Sequence, residues 1–470
     1  MAITEAQYEA WLANDNQRRC VLAEAHYHDG ISEKVRYFAT TPFVSGPADT
    51  PANQPYDDLL KDVPEIRSVI DADEALGTLR LTNLGGIIDG WLDDAFAGWP
   101  LKLYLGSPDW SRDDFRLVLN GICSGIESPS SSVLALNVKD KRYLLDVPLQ
   151  NNLLASNEPK PICLGSVFNI EPVLVNAATH TYQVHDGAVS NIVVRDNGVA
   201  ISPSMNLGNG KFSLGAAPVG RLTCDVVQTT NTAATMIDWL ARRVGLVSAE
   251  IDSANLAAFA NTATLGLYVR DQRTAAECMT DVVRSCGGFY RFDRSGLLQI
   301  VRLEAPGASV LSLDTDDVAE GGLTVQKIEQ PRSRIRLSYK RNWSAQDADS
   351  LAGSVSESNR DLYSREYSTV TADNAAIKTQ YPLADEPDVI ETLFANQPDA
   401  QAEANRRMTM RGQKRIVYKI KSFSAPFQIH IGDTTTVTHP RHGFAVGANA
   451  VVVGLREKPT RNRVELEVWK

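Results

Sequence analysis

A chain of 470 residues is too long for one compact core, and at about 150 residues per domain it divides into roughly three. Its 43% hydrophobic and 22% charged residues match ordinary globular usage, which excludes wholesale disorder and a fibrous repeat. The formal charge of -10 conceals a polarity: residues 401–470 hold thirteen Lys/Arg against five Asp/Glu, which leaves that part at +8 and the remainder at -18.

The first residues carry Glu5 and Glu9 and no basic stretch followed by an apolar run, so a secretory signal is not expected. No apolar run approaches the roughly 18 residues of a membrane helix, and a product soluble inside the cell that makes it is expected. Tyr8, Trp11 and Leu12 at helical spacing predict a short helix over 5–14, before strands at 19–27 and 33–38. Four prolines between Thr41 and Pro55 favour a surface connection. Alternating runs at 78–82, 100–105, 115–122 and 133–138, separated by Gly, Pro and Ser clusters, predict an all-β barrel or sandwich over about residues 15 to 145.

The period then changes. Met236, Ile237, Leu240 and Val244 form one helical stripe, and Thr274-Ala275-Ala276-Glu277 reads as a capping box opening a second helix that ends at Gly287-Gly288. A hairpin follows, 289–292 and 297–303 around Asp293-Arg294-Ser295-Gly296. Residues 344–400 read as long connections around short elements, and 400–408 as a helix. Strands return at 415–423, 433–438, 450–455 and 463–469. The expected fold is therefore mainly β with α+β insertions: a multi-domain chain with β-barrel-like modules at both ends and small helix-hairpin units between. Its divisions fall at 1–145 (β-barrel-like), 146–225 (a linking β-meander), 226–306 (small α+β), 307–400 (mixed connection) and 401–470 (β-barrel-like).

Chemistry-bearing patterns are sparse. Gly208-Asn209-Gly210-Lys211-Phe212 lacks the spacing and the hydroxyl residue of a phosphate loop and reads as a turn, while GxSxG and HExxH are absent. His26 and His28 share a strand face without a third ligand, and His439-Pro440-Arg441-His442 reads as a turn. Six cysteines, at 20, 123, 163, 224, 278 and 286, show no CxxC pairing and read as buried thiols. Cys278 and Cys286 fall on one side of a predicted helix, where packing against the hairpin accounts for them without an iron–sulfur cluster. The acidic pairs Asp93-Asp94, Asp113-Asp114 and Asp316-Asp317 read as solvated loops, because neighbours on a strand point opposite ways and do not make a facing pair. No catalytic, cofactor-binding or metal-ligating residue is assigned, no cofactor is expected, and an enzyme is not expected.

Three stretches carry a resemblance: Cys163-Leu164-Gly165-Ser166-Val167-Phe168-Asn169-Ile170-Glu171-Pro172, then Tyr182-Gln183-Val184-His185-Asp186-Gly187, then Val194-Arg195-Asp196-Asn197-Gly198-Val199. Together they resemble a recurring segment of siphophage tail tip and baseplate hub proteins. Asp186-Gly187 and Asn197-Gly198 are hairpin-turn dipeptides on either side of a strand at 192–195, so the segment is expected to be a compact β-meander with Cys163 buried and His185 in a turn. The similarity continues through Leu265-Gly266-Leu267-Tyr268-Val269, Ser338-Tyr339-Lys340-Arg341-Asn342-Trp343, Ile431-Gly432-Asp433 and Val451-Val452-Val453-Gly454-Leu455.

The resemblance implies a baseplate hub, commonly trimeric, whose β domains continue the tail tube while other domains hold the central fibre. It implies partners among the tail tip proteins, the distal tail ring and the central fibre, a transient contact with DNA in the lumen, and a place in the virion after assembly in the host cytoplasm. Opposite charge on different parts of the chain suits contact between copies. A receptor- or glycan-binding tip protein is the competing expectation, motivated by Trp91, Trp99 and Trp110 in loop-rich positions, since sugar faces stack on such rings.

Overall fold

The computed structural model describes residues 2–14, 16–70, 77–259, 261–384, 387–423 and 427–470. By contact the chain divides into two units, each discontinuous in sequence: unit 1 takes Met1–Tyr143, Arg291–Glu329 and Arg415–Lys470, and unit 2 takes Leu144–Tyr290 and Gln330–Lys414. Both are rich in strands, and the chain is mainly β with α+β insertions.

Unit 1 contains a nine-stranded sheet drawn from the first 140 residues, in the spatial order Phe43–Val44, Pro55–Asp58, Glu33–Ala39, Cys20–His28, Pro100–Gly106, Arg116–Ser130, Val133–Lys139, Thr78–Thr82 and Leu60–Asp62. Alternation sets its two faces. Val21, Ala23, Leu101, Leu103, Leu79 and Leu134 enter the main core, with Ala23 opposite Leu103, while Cys20, Leu22, Phe43, Tyr56 and Phe115 bury the reverse side. A sheet covered on both sides over its central strands is what a curled, barrel-like module requires. The helix Glu5–Leu12, closed at its start by a Thr4–Gln7 capping box, lays Tyr8, Trp11 and Leu12 on the main core.

The second sheet of unit 1 has seven strands. Six run in the order Ser309–Leu313, Thr434–His439, Phe444–Glu457, Val464–Trp469, Arg415–Ser422 and Val318–Glu329, and Ile66–Val69 pairs with Phe444–Glu457 off that path, Glu457 opposite Ile66. The C-terminal β module is thus completed by strands from residues 66–69 and 309–329, a pairing that strand periodicity does not encode.

Beneath the nine-stranded sheet lies a buried ion pair. Arg112 Nη2 donates to Glu24 Oε1 at 2.6 Å and its Nε to Tyr56 Oη at 3.0 Å, while the Tyr56 hydroxyl donates to the same Glu24 oxygen at 2.7 Å. The guanidinium carbon stands 3.7 Å from the Tyr104 ring centre. Burial pushes the Tyr56 hydroxyl up, and the Glu24 carboxylate adds to this, so the phenol keeps its proton and stays a donor.

Unit 2 holds a five-stranded sheet (Val199–Ile201, Asn191–Asp196, Leu222–Val227, Ile162–Ile170, Gly266–Val269), a four-stranded sheet (Val173–Asn176, Thr181–Gln183, Lys211–Ser213, Ser204–Asn206) and the pair Arg334–Tyr339 with Ser368–Asp373. Thr232 and Thr274 open the helices Ala233–Arg243 and Ala275–Ser285 with reciprocal capping boxes. The expected helix at 400–408 is longer, Gln397–Arg411, because Asn396 caps it and Pro398 fits its first turn. Arg407 Nη2 donates at 2.8 Å to the carbonyls of Arg284 and Ser285, placing a cation at the C-terminal end of the neighbouring helix, where the macrodipole favours it.

The compact meander expected from the resemblance is not what forms. Asn197-Gly198 does turn a hairpin, with Asp196 opposite Val199 and both turn residues at positive φ. Asp186-Gly187 does not. Thr181–Gln183 belongs to the four-stranded sheet and Asn191–Asp196 to the five-stranded one, so residues 184–190 cross from one sheet to the other, and Asp186 is held by Gln150 and Arg243 rather than by a turn.

Removing one partner of the Arg112–Glu24 pair strands a buried charge. Arg112→Ala is expected to destabilise unit 1 by about 3–5 kcal/mol, read as a shift of the urea midpoint followed by tryptophan fluorescence. A loss below about 1 kcal/mol, the range of an exposed pair, would contradict this account.

Candidate functional site

The segments singled out in the sequence meet in unit 2. Gly165 lies opposite Gly266 in the antiparallel pair of Ile162–Ile170 with Gly266–Val269. The approach is close: a Cβ on Gly165, at φ +70°, would stand 2.0 Å from the Leu265 carbonyl oxygen, and one on Gly266 would stand 2.0 Å from that of Ser166. Both positions therefore demand glycine, which accounts for their place in Cys163-Leu164-Gly165 and Leu265-Gly266-Leu267.

Four residues beyond Gly165 on the same strand, Asn169 adopts φ +55° and is fully buried. Its Nδ2 donates to Asn342 Oδ1 at 2.8 Å and to the Ser344 carbonyl at 3.1 Å, and its N–H donates to Asp225 Oδ1 at 3.0 Å. Asn342 Nδ2 in turn donates to the carbonyls of Tyr363 at 2.8 Å and Arg365 at 3.0 Å. Arg195 pairs with Asp225, and its guanidinium carbon lies 5.0 Å from the Tyr363 ring centre. Lys340 Nζ stands 4.6 Å from the Phe168 ring centre, and burial holds its ammonium below the usual lysine range. This joint ties Phe168-Asn169 to Lys340-Arg341-Asn342-Trp343 and to the end of the helix Glu357–Ser364.

A second polar cluster sits nearby in the same unit. The Cys163 N–H donates to His185 Nδ1 at 3.0 Å, and the Cys163 thiol to the Val184 carbonyl at 3.1 Å. His185 is 3% exposed, so it is a buried acceptor and not the turn residue its sequence neighbours suggested. Asp186 receives Arg243, and Gln150 Nε2 at 3.0 Å. Burial keeps the imidazole below the usual histidine range, with Arg243 adding and Asp186 opposing. Burial alone would raise the Asp186 carboxyl, but Gln150, Arg243, His185 and Asn152 bring it below the usual range. Burial pushes the Cys163 thiol well up. The result is a neutral imidazole beside a satisfied carboxylate and an inert thiol, which is chemistry for holding a fold.

The remaining singled-out residues are dispersed. His26 Nδ1 lies 2.8 Å from Glu33 Oε1, His28 accepts from the Gly30 N–H at 3.0 Å, and His442 sits at φ +59° in a turn. All six cysteines are buried. The acidic pairs are only partly solvated: Asp114 is buried and accepts the Ile3 N–H at 2.7 Å, and Asp94 pairs with Arg36 at 2.7 Å. Of the three tryptophans, Trp91 is buried beside Phe38 and Phe96, and the half-buried Trp110 packs at a tilt 4.8 Å from Trp11. Among the described residues no group of three or more His, Cys, Asp or Glu is placed to hold a metal ion. Among them, too, no helix is long and apolar enough to cross a membrane.

No family model and no curated protein matches the chain. Solved structures are similar to it over nearly the whole length. One is a tail protein from Neisseria meningitidis MC58, 11% identical, covering 96% of this chain and 97% of that one at a TM-score of 0.45. Another is the 43 kDa tail protein of prophage MuSo2 from Shewanella oneidensis, 11% identical, covering 96% and 98% at 0.43. A third is a prophage tail protein from Listeria monocytogenes EGD-e, 8% identical, covering 97% and 94% at 0.42.

Asn342→Ala removes the bonds to the Tyr363 and Arg365 carbonyls and one of the two bonds made by Asn169 Nδ2, and an expected loss of about 1–3 kcal/mol follows, read as a lower melting temperature. A second test uses pH. In the unfolded chain His185 takes up a proton near pH 6.5, whereas the folded site holds it neutral to a lower pH. The unfolded state therefore binds more protons through that window, and stability falls as pH drops from about 7 to about 5. His185→Gln is expected to flatten that part of the profile; an unchanged slope would assign the pH dependence elsewhere.

Proposed function

We propose that this chain is a structural subunit of a phage tail and, within the tail, the baseplate hub that joins the tube to the central fibre and takes part in assembly and genome ejection. The observation that carries this reading is the joint of unit 2. Cys163–Pro172, Leu265–Val269 and Ser338–Trp343 match the tail tip pattern weakly one by one, but they touch one another through Gly165, Asn169 and Asn342. Their order along the chain is the order needed to build one object, so they count as a single correlated signal.

The rest of the molecule suits that part. Two sheet modules in unit 1 supply broad β walls of the kind a ring needs, and the buried polar clusters of unit 2 fix side chains instead of exposing reactive groups. Cyclic repetition of the subunit, as a trimer, gives such walls a closed circuit. The names of the similar solved structures describe tail proteins, and the same role is proposed here. In this reading the chain is an assembly part and not an enzyme, it is found in the virion, its neighbours are the other tail tip proteins, the distal tail ring and the central fibre, and DNA passes it during ejection.

The test is location. Gold labelling or cryo-electron microscopy of particles carrying a tagged copy is expected to put the label at the tail tip on the tail axis, and deletion of the gene to leave tails without tips. Label on the capsid, along the tube or on side fibres would overturn the hub reading.

A further inference from the structure

We propose that a basic groove on unit 1 receives carboxylates of a second copy of this chain. The inference rests on the hub reading only in taking the chain to assemble with itself. The groove has a volume of about 320 Å³ and is lined by Lys421, Arg456, Lys458, Arg461 and Arg463. A neighbouring cleft shares Arg461 and Arg463 with it and adds Arg19.

These cations fall into two kinds. Lys421 and Arg456 lie 4.0 and 3.6 Å from Glu465, and Lys458 lies 3.1 Å from Asp62, so their charge is largely answered. Arg461 and Arg463 are exposed and, among the described residues, meet no carboxylate within 4.0 Å; the Arg463 guanidinium carbon stands 5.5 Å from the ring centre of Phe423, which is itself exposed. The residue between them anchors the turn. Asn462 is buried and donates through Nδ2 to the Ala13 carbonyl at 3.4 Å, and the Arg461 N–H donates to the Lys458 carbonyl at 3.0 Å. The two free guanidinium groups are thus presented from a fixed backbone, which lowers the entropy lost when they bind.

Carboxylates on a protein fit this surface better than a nucleic acid does. Glu65 and Glu465 line the same groove and break its positive charge into separate wells. A duplex, with one phosphate charge per roughly 1.7 Å, would run over both acids, whereas side-chain carboxylates spaced on a folded surface can avoid them and meet each arginine in a bidentate pair. The chain itself carries the complement: residues 1–143 hold thirteen Lys/Arg against twenty-two Asp/Glu, or -9, with Asp57, Asp58 and Asp113 exposed. A contact between a basic patch and a different, acidic patch is heterologous, and repeated by rotation it closes a ring.

Sedimentation velocity of the full chain at about 50 and about 500 mM salt tests the proposal, because screening weakens exposed pairs over that range. The wild type is expected to self-associate at low salt and to lose roughly tenfold in affinity at high salt. Arg461→Glu/Arg463→Glu is expected to stay monomeric, and Arg461→Lys/Arg463→Lys, which keeps the charge, to associate within a fewfold of wild type. Thermal melts check that each variant folds; if the Glu variant does not, the salt response of the wild type and the Lys variant decides. A monomeric wild type, a salt-independent association, or a folded Glu variant that assembles normally would overturn the proposal. So would a labelled DNA duplex that binds the wild type and not the Glu variant, since the groove would then belong to phosphates. Particle labelling reads tail location independently, so the hub reading and this one fail separately.

Discussion

Asn169 and Asn342, 173 residues apart in the chain, hold each other by their side-chain amides inside unit 2. An amide buried without partners costs more than the bond returns when made, so such a pair is a constraint as much as a source of stability. Once Asn169 takes its left-handed backbone conformation, its N–H is turned to Asp225, Asp225 is committed to Arg195, and Arg195 is set against Tyr363. Each of these bonds forms only when the others are in place. The strands, the loop at 342–344 and the helix before Arg365 are registered together by this circuit and by the apolar cluster of Phe168, Leu351, Val355 and Tyr363.

The clusters around Glu24 and Glu403 follow the same logic in their own units. Glu24 is bound by Arg112 and Tyr56, and Glu403 by Arg406 and Arg407. In each case a buried acid accepts from two donors, and an arginine that answers it also touches a ring or a helix end. Such arrangements contribute little net stability over apolar packing of the same volume, but they penalise alternative arrangements heavily. Specificity of shape is what the proposed role would need.

Local chemistry was legible in the sequence and long-range pairing was not. The Thr232 stripe, the Thr274 capping box, the hairpin after Gly288 and the strands beyond Arg415 all follow from side-chain period and turn residues within a short window. Asn197-Gly198 also behaved as its dipeptide predicts. Asp186-Gly187, the same kind of signal, did not, because Arg243 lies 57 residues on and competes for the carboxylate that a turn would have used. Likewise His185 next to Asp-Gly reads as loop, and only the approach of the Cys163 N–H makes it core. The basic groove was visible as a surplus of charge after residue 400, but not as a place.

The pairing of Ile66–Val69 with Phe444–Glu457 also bears on how the protein is made. Ile66, almost fully buried in the finished unit, leaves the ribosome long before its partner strand exists. With nearly 400 residues between them, and synthesis at about 5–20 residues per second, it waits roughly 20–80 s. Throughout that time a strand with open backbone groups is available to any other chain. A product truncated before residue 444 would leave the strand at 66–69 without this partner, and its open backbone groups would make it material for proteolysis or aggregation.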